Sequence, residues 1–236
     1  MSIFVKTFGG TRVIKNNDIV NARDWPSQKA FALFRYLIFR RNEEVSVEEI
    51  YNLFWEDMDD TFAKSNLNTT LHIIRKTTGI TSEQLFVKGD LCCFFPGNEI
   101  TIDADIFEEC HRNLMKATSD IEHEKLLKRM FEIYAGPFLI EDIFAEWVQE
   151  IREIYESWYS DVLKELFKLY LAKKRLRRRP RDGKRLFSER ALRRGYVLQS
   201  NRGPSEKGRD HKGKTRIRQA LESSYGDRDQ TSIEIR

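Results

Sequence analysis

The chain has 236 residues and a mass of 28.0 kDa, enough for two small domains with cores of their own. Its 41 basic and 37 acidic residues give a net charge of +4, an average over two unlike regions: residues 175–236 hold 19 Lys and Arg against 8 Asp and Glu, whereas residues 1–174 hold 22 against 29. No apolar run approaches the ~18 residues of a membrane span and the N-terminus lacks a signal-peptide layout, so the expectation is a cytoplasmic protein with no membrane partner.

The first elements read as short strands. Ile3 to Phe8 carries β-branched and aromatic residues, Gly9-Gly10 turns the chain, Thr11 to Ile14 returns, and Asn16-Asn17-Asp18 turns it again before Ile19-Val20. A helix then opens at Ser27-Gln28-Lys29-Ala30. Its apolar positions Ala30, Leu33, Phe34, Leu37 and Ile38 repeat at helical spacing, with Pro26 before the start and Arg40, Arg41 and Asn42 at the end. A second helix starts from a capping box, Ser46 to Glu49, and is expected to bury Ile50, Leu53 and Phe54. Glu48 and Glu49 suit its positive end.

Residues 61–79 predict a third helix, and they are the most informative stretch. With Leu67 at the centre of the buried side, Ala63, Leu71 and Ile74 fall within about 40° of it. The opposite face holds Ser65, Thr69, His72 and Lys76, with Asn68 and Arg75 on one shoulder. Together with Lys64 the helix carries three cations, short hydroxyls and amides, and no acid, although the loop before it holds Glu56, Asp57, Asp59 and Asp60. Short polar side chains reach base edges in a major groove, and Lys or Arg at the margins hold phosphates. An ordinary solvated helix face is the plain alternative. The next segment of the chain favours the DNA reading: Gly79 ends the helix, and Leu85 to Phe95 reads as a hairpin around Lys88-Gly89-Asp90. Three helices and then a hairpin is the order of a winged helix.

Beyond residue 102 the pattern is helical. Asp103 is a candidate N-cap before Phe107, Cys110, His111 and Leu114; Ile121, Leu126, Leu127, Met130, Phe131 and Tyr134 mark a further helix stopped by Gly136-Pro137. From Phe144 onward Trp147, Ile151, Ile154, Trp158, Val162, Leu166 and Leu169 repeat at helical spacing, as one helix or two broken near Ser157. Trp147 is expected to be buried between helices. The reading is therefore mainly α with small β: residues 1–102 an N-terminal winged helix-turn-helix with a preceding β-meander, residues 103–174 an all-α domain, and residues 175–236 a basic tail.

Phe8-Gly9-Gly10, Ser27-Gln28-Lys29-Ala30, Leu53-Phe54-Trp55, Asn66-Leu67 and Ile74-Arg75-Lys76 form one set of marks, and Asp103, Phe107, Tyr134 to Leu139, Trp147 and Arg152 form another in the second half. On these residues the chain resembles the antibiotic-regulatory-protein (SARP) type of bacterial transcriptional activators, in which a response-regulator-like winged helix precedes a bacterial transcriptional activator domain. The marks run in order over residues 1 to about 174. The hairpin departs from the family pattern: Leu91-Cys92-Cys93-Phe94 stands where a Gly-Tyr-x-Leu-like strand is usual, and Lys88 is the one cation near the tip. The resemblance implies a tetratricopeptide-like array in the second half, whose helix pairs need neighbours to bury their faces. Three readings of the tail stay open: a basic arm for phosphates, a variant continuation of the array, or the product of a shifted reading frame.

The expected function is sequence-specific DNA binding by a transcriptional regulator of the activator type. Ser65, Asn68, Thr69 and His72 would read bases, and Lys64, Arg75, Lys76 and Lys88 would hold phosphates. Double-stranded DNA, RNA polymerase and a second copy of the chain are the expected partners; a helical-repeat adaptor without sequence-specific DNA binding is the alternative. Cys92, Cys93 and Cys110 fit neither a disulfide framework nor a zinc spacing, and no phosphate loop, Gly-x-Ser-x-Gly or His-Glu-x-x-His motif is present. Neither an enzyme nor a cofactor is expected, and with no receiver domain ahead of the first strand, control by aspartyl phosphorylation is not expected either.

Overall fold

In the computed structural model, residues 2–16 and 18–177 are described, with side chains as far as residue 174, so the expectations for the basic tail lie outside the described residues. The chain divides into two compact units at Lys168/Leu169; of the second, residues 169–177 are described, and they are helical. The described residues are mainly helical with two small sheets.

In the first sheet β1 (Ile3–Lys6), β2 (Arg12–Lys15) and β3 (Asp18–Val20) form the expected antiparallel meander. Its fourth strand, β7 (Ile100–Ile102), was not anticipated; it pairs parallel to β1, with Val5 opposite Ile102. Three helices come after the meander. Ser27 caps α1 (Gln28–Phe39) by accepting the Ala30 N–H at 3.2 Å. A three-residue strand, β4 (Glu44–Ser46), leads into α2 (Val47–Phe54), and α3 (Asp60–Thr78) comes next. The hairpin β5 (Leu85–Lys88) and β6 (Leu91–Phe94) joins β4 in the order β4-β6-β5.

The capping box at Ser46 is half formed. Ser46 accepts the Glu48 N–H at 3.2 Å, but Glu49 turns away to the Tyr36 hydroxyl and to Arg40 at 2.7 Å. Burial and that carboxylate hold the Tyr36 phenol above its ordinary pKa. Leu53, expected in the core, is 46% exposed.

After β7 come α4 (Asp103–Leu114), α5 (Asp120–Ile133) and α6 (Gln149–Arg177), the last a single helix through Ser157. Asp103 is not an N-cap but the first helical residue. Its buried carboxylate accepts the Thr7 N–H at 2.8 and 2.9 Å, the Thr7 hydroxyl at 2.5 Å and the Phe8 N–H at 3.3 Å. Ile121 lies on the outer face of α5 and is exposed.

The expected division at 102/103 runs through the core of the first unit. Phe8 from the meander sits among Phe107 (5.1 Å between centroids), Tyr134 (5.0 Å), Phe138 (5.9 Å) and Tyr155 (5.5 Å). The backbone makes the same join, because Gly9 donates to the Pro137 carbonyl at 3.1 Å and Leu139 donates to Thr7 at 2.9 Å. Gly9 has φ +74, and a Cβ there would stand 2.9 Å from the Ala135 carbonyl oxygen, so only glycine fits. Arg35 adds a paired contact to Asp142 at 2.5 and 2.8 Å, and Arg41 binds Asp105 and, at 2.7 Å, Glu108.

Residues 138–148 form a loop with two 3-10 turns, Ile140–Asp142 and Glu146–Val148, so the helix expected from Phe144 starts only at Gln149, and this moves Trp147. Leu139 takes a left-handed conformation, φ +45, with its side chain buried. Arg152 of α6 reaches back and donates to four carbonyls of the loop: Phe138 (3.0 Å), Leu139 (3.0 Å), Asp142 (3.2 Å) and Ile143 (3.4 Å). Trp147 is thereby delivered to α1. It is half-buried, edge-on to Tyr36 at 5.2 Å and against Phe39 at 5.1 Å, instead of enclosed between later helices.

Candidate nucleic-acid interface

The candidate face belongs to α3, and local chemistry fixes both ends of that helix. Asp59 accepts the Thr61 N–H at 2.8 Å; Gly79, at φ +83, donates to the Arg75 carbonyl at 2.8 Å. Lys15 of β2 donates to the Thr77 carbonyl at 2.9 Å, a cation at the negative end of the helix. The buried side is the predicted seam, Ala63, Leu67, Leu71 and Ile74, packed toward α1 and β5. Thr70 and Thr78 are buried with it, their hydroxyls satisfied by the carbonyls of Asn66 (2.7 Å) and Ile74 (2.8 Å).

Six of the predicted residues are exposed: Ser65, Asn68, Thr69, His72 and Lys76 on the side away from the seam, and Lys64 nearer the seam, one turn on from Asp60. The Thr69 hydroxyl donates to the Ser65 carbonyl at 3.0 Å, which leaves its oxygen able to accept from outside. Arg75 stands apart. It is half-buried, and its Nε donates to the Leu85 carbonyl at 2.9 Å, so the guanidinium ties α3 to the hairpin with one donor already committed. Lys88 is exposed at the hairpin tip, close in sequence to the exposed carboxylate of Asp90. Among the residues of α3 after Asp60 there is no acid, and Asp60 itself lies on the seam side, about 160° from the centre of the exposed face.

One residue of this face was missed. Phe62 is 69% exposed at the first turn of α3; Met58, four residues earlier, is also exposed, and its sulfur accepts the Asn66 amide at 3.2 Å. The signal was in the sequence: Phe62 is out of phase with the Leu67 seam and in phase with Ser65 and Thr69.

Away from α3 the surface offers a shallow depression of about 490 Å³ lined by Ser46, Glu48, Glu49, Asn52, Leu53 and Trp147. Nearby in sequence Ile140, Ile143 and Phe144 are exposed, Phe144 at 86%. All three cysteines are buried thiols, and burial pushes Cys92 up to about 12. No described helix is long and apolar enough to cross a membrane.

No family model and no curated protein matches the chain. Among solved structures it is similar to Mycobacterium tuberculosis EmbR in complex with a low affinity phosphopeptide, with a TM-score of 0.53 and 17% sequence identity. The match covers 73% of this chain and 51% of that one, so the chain spans about half the length of the structure it resembles. At this identity the likeness is one of fold.

Proposed function

We propose that this chain is a sequence-specific DNA-binding transcriptional regulator of the activator type. In this reading α1 to α3 with the β5–β6 hairpin form a winged helix. The α3 helix enters the major groove, and the helices from α4 onward form a tetratricopeptide-like surface for RNA polymerase or a second copy of the chain. The observation that carries the reading is the exposed face of α3, on which Ser65, Asn68, Thr69, His72 and Lys76 stand with no acid among them, and Lys64 is exposed at its edge, one turn on from Asp60. The acidic balance of residues 1–174 makes such a face hard to explain as average surface. The fold likeness to the EmbR structure supports the same reading.

Selection from a random duplex pool, and then binding in a salt series, tests it. Wild type is expected to enrich a defined sequence. Asn68→Ala with His72→Ala should erase that preference, at about 1–3 kcal/mol per lost base contact. Lys64→Ala with Lys76→Ala should weaken all duplexes alike and lower the salt slope by about 2. Wild-type discrimination in the Asn68/His72 variant would sink the reading. A second reading, a protein-interaction adaptor, is favoured by exposed Ile140, Ile143 and Phe144 beside the Trp147 segment; a pool that enriches no sequence would select it.

A further inference from the structure

We propose that Phe62 is a specificity-determining residue of α3 and reads a thymine in the major groove through its 5-methyl group. The proposal rests on the reading of α3 as the DNA-contacting helix and adds to it a base and a type of contact.

The placement of the ring argues for a contact surface. Ala63, Leu67, Leu71 and Ile74 of the same helix are each no more than 1% exposed, whereas Phe62 is 69% exposed. At 100° per residue Phe62 lies about 20° from Thr69 and about 60° from Ser65, but about 140° from Leu67. It belongs to the polar face and not to the seam. No rotation of the helix that keeps Leu67 buried would bring Phe62 into the core.

The chemistry of the neighbours narrows the partner. Ser65 and Thr69, one and two turns further on, offer hydroxyls, and Asn68 offers an amide, all suited to base-edge donors and acceptors. A large apolar ring set into such a row needs an apolar group at the same depth. The major-groove floor supplies one, the thymine methyl, and aromatic side chains are among its usual contacts. Position within the helix agrees. Groove-entering helices contact bases mainly through their N-terminal residues, and helical side chains lean toward the N-terminus, so a ring in the first turn projects furthest inward. Four exposed carboxylates, Glu56, Asp57, Asp59 and Asp60, precede the ring, and Asp59 accepts the Thr61 N–H at 2.8 Å, so the contact proposed for the first turn is with an uncharged methyl and not with a phosphate.

The test uses the full chain, the duplex that wild type selects from a random pool, and copies of that duplex in which each thymine is replaced in turn by deoxyuridine. That replacement removes one methyl and leaves every hydrogen-bonding group in place. At one position the wild type should lose affinity by about 4- to 10-fold, the worth of one buried methyl. Phe62→Ala should bind the parent duplex more weakly and show no loss at that position, while Phe62→Leu should retain part of it. If wild type and Phe62→Ala respond alike at every thymine, the proposal is overturned while the α3 reading stands. A changed sedimentation coefficient for Phe62→Ala with an unchanged uridine profile would assign the ring to self-association and overturn it too. Failure of wild type to select any sequence removes both.

Discussion

Arg152 is the side chain whose loss has the best-defined consequence. It is 6% exposed and donates to the carbonyls of Phe138, Leu139, Asp142 and Ile143, four acceptors that come from one irregular loop. Truncation to Ala removes all four bonds at once. Hydrogen bonds to charged groups contribute about 1.5–3 kcal/mol each, and a buried acceptor left without a donor costs about 1–3 kcal/mol. The Asp142 and Ile143 contacts are long or partly open to water, so the two to Phe138 and Leu139 dominate, and Arg152→Ala should cost about 3–5 kcal/mol. Lys is a sharper probe. Its single ammonium cannot span carbonyls served by three different guanidinium nitrogens, so Arg152→Lys should recover less than half of the loss. Urea unfolding monitored by tryptophan fluorescence measures both, and acrylamide quenching of Trp147 reports whether the 138–148 loop leaves the body before global unfolding. A loss below about 1 kcal/mol for Arg152→Ala, or full recovery by Lys, would refute the idea that this guanidinium holds the loop.

Three other outcomes are expected. Gly9→Ala combines a positive φ with a Cβ 2.9 Å from the Ala135 carbonyl oxygen and should cost about 2–4 kcal/mol in urea unfolding; a neutral result would mean that the 134–139 segment yields. The Cys92 thiol is pushed up from about 9 to about 12 by burial, so the stability it contributes is present below pH 9 and is lost as pH rises from there toward 12. Cys92→Val should reduce the alkaline slope, and an identical slope would count against the assignment. His111 stacks on Trp158 at 3.7 Å, and burial lowers its pKa against a smaller opposing pull from Asp161, so its contribution is present above pH 6.5 and is lost as pH falls below that. His111→Asn should flatten the stability profile between about pH 5 and 7, and unchanged curvature would contradict this.

Local chemistry made much of this fold readable. Ser27 before an apolar helical repeat, Gly79 after one, and Lys88-Gly89-Asp90 between two β-rich runs each act within a few residues of themselves. The face of α3 was legible for the same reason, since helical phase alone puts Leu67 and Thr69 on opposite sides. What escaped was non-local. The strands β4 and β7 have three residues each and become strands only by pairing with β6 and β1. Trp147 has helical spacing to Ile151 and Trp158, yet Gly136-Pro137 and the left-handed Leu139 take the chain out of the helix and Arg152 redirects it to α1. Asp103 and Glu49 have the composition of caps but find stronger claims from Thr7 and from Tyr36 and Arg40. Arg75 is helical in phase with the shoulder of the exposed face, and only the hairpin shows where its Nε goes.

The clasp between the first turn and the 134–148 segment has a consequence for how the chain is made. Thr11 bonds Glu141 across 130 residues, and Ile3 cannot find its parallel partner Ile100 until 97 further residues have been joined. At a synthesis rate of roughly 5–20 residues per second, the first turn waits about 6–26 s for its counterpart. The helices α1 to α3 and the sheet β4-β6-β5 are complete by Phe94 and can consolidate earlier. The turn from Phe8 to Thr11, although among the first residues off the ribosome, is therefore among the last parts to find its final surroundings. During that interval Phe8, buried in the finished protein, lacks Phe107, Tyr134, Phe138 and Tyr155, and a chaperone or a neighbouring chain can reach it.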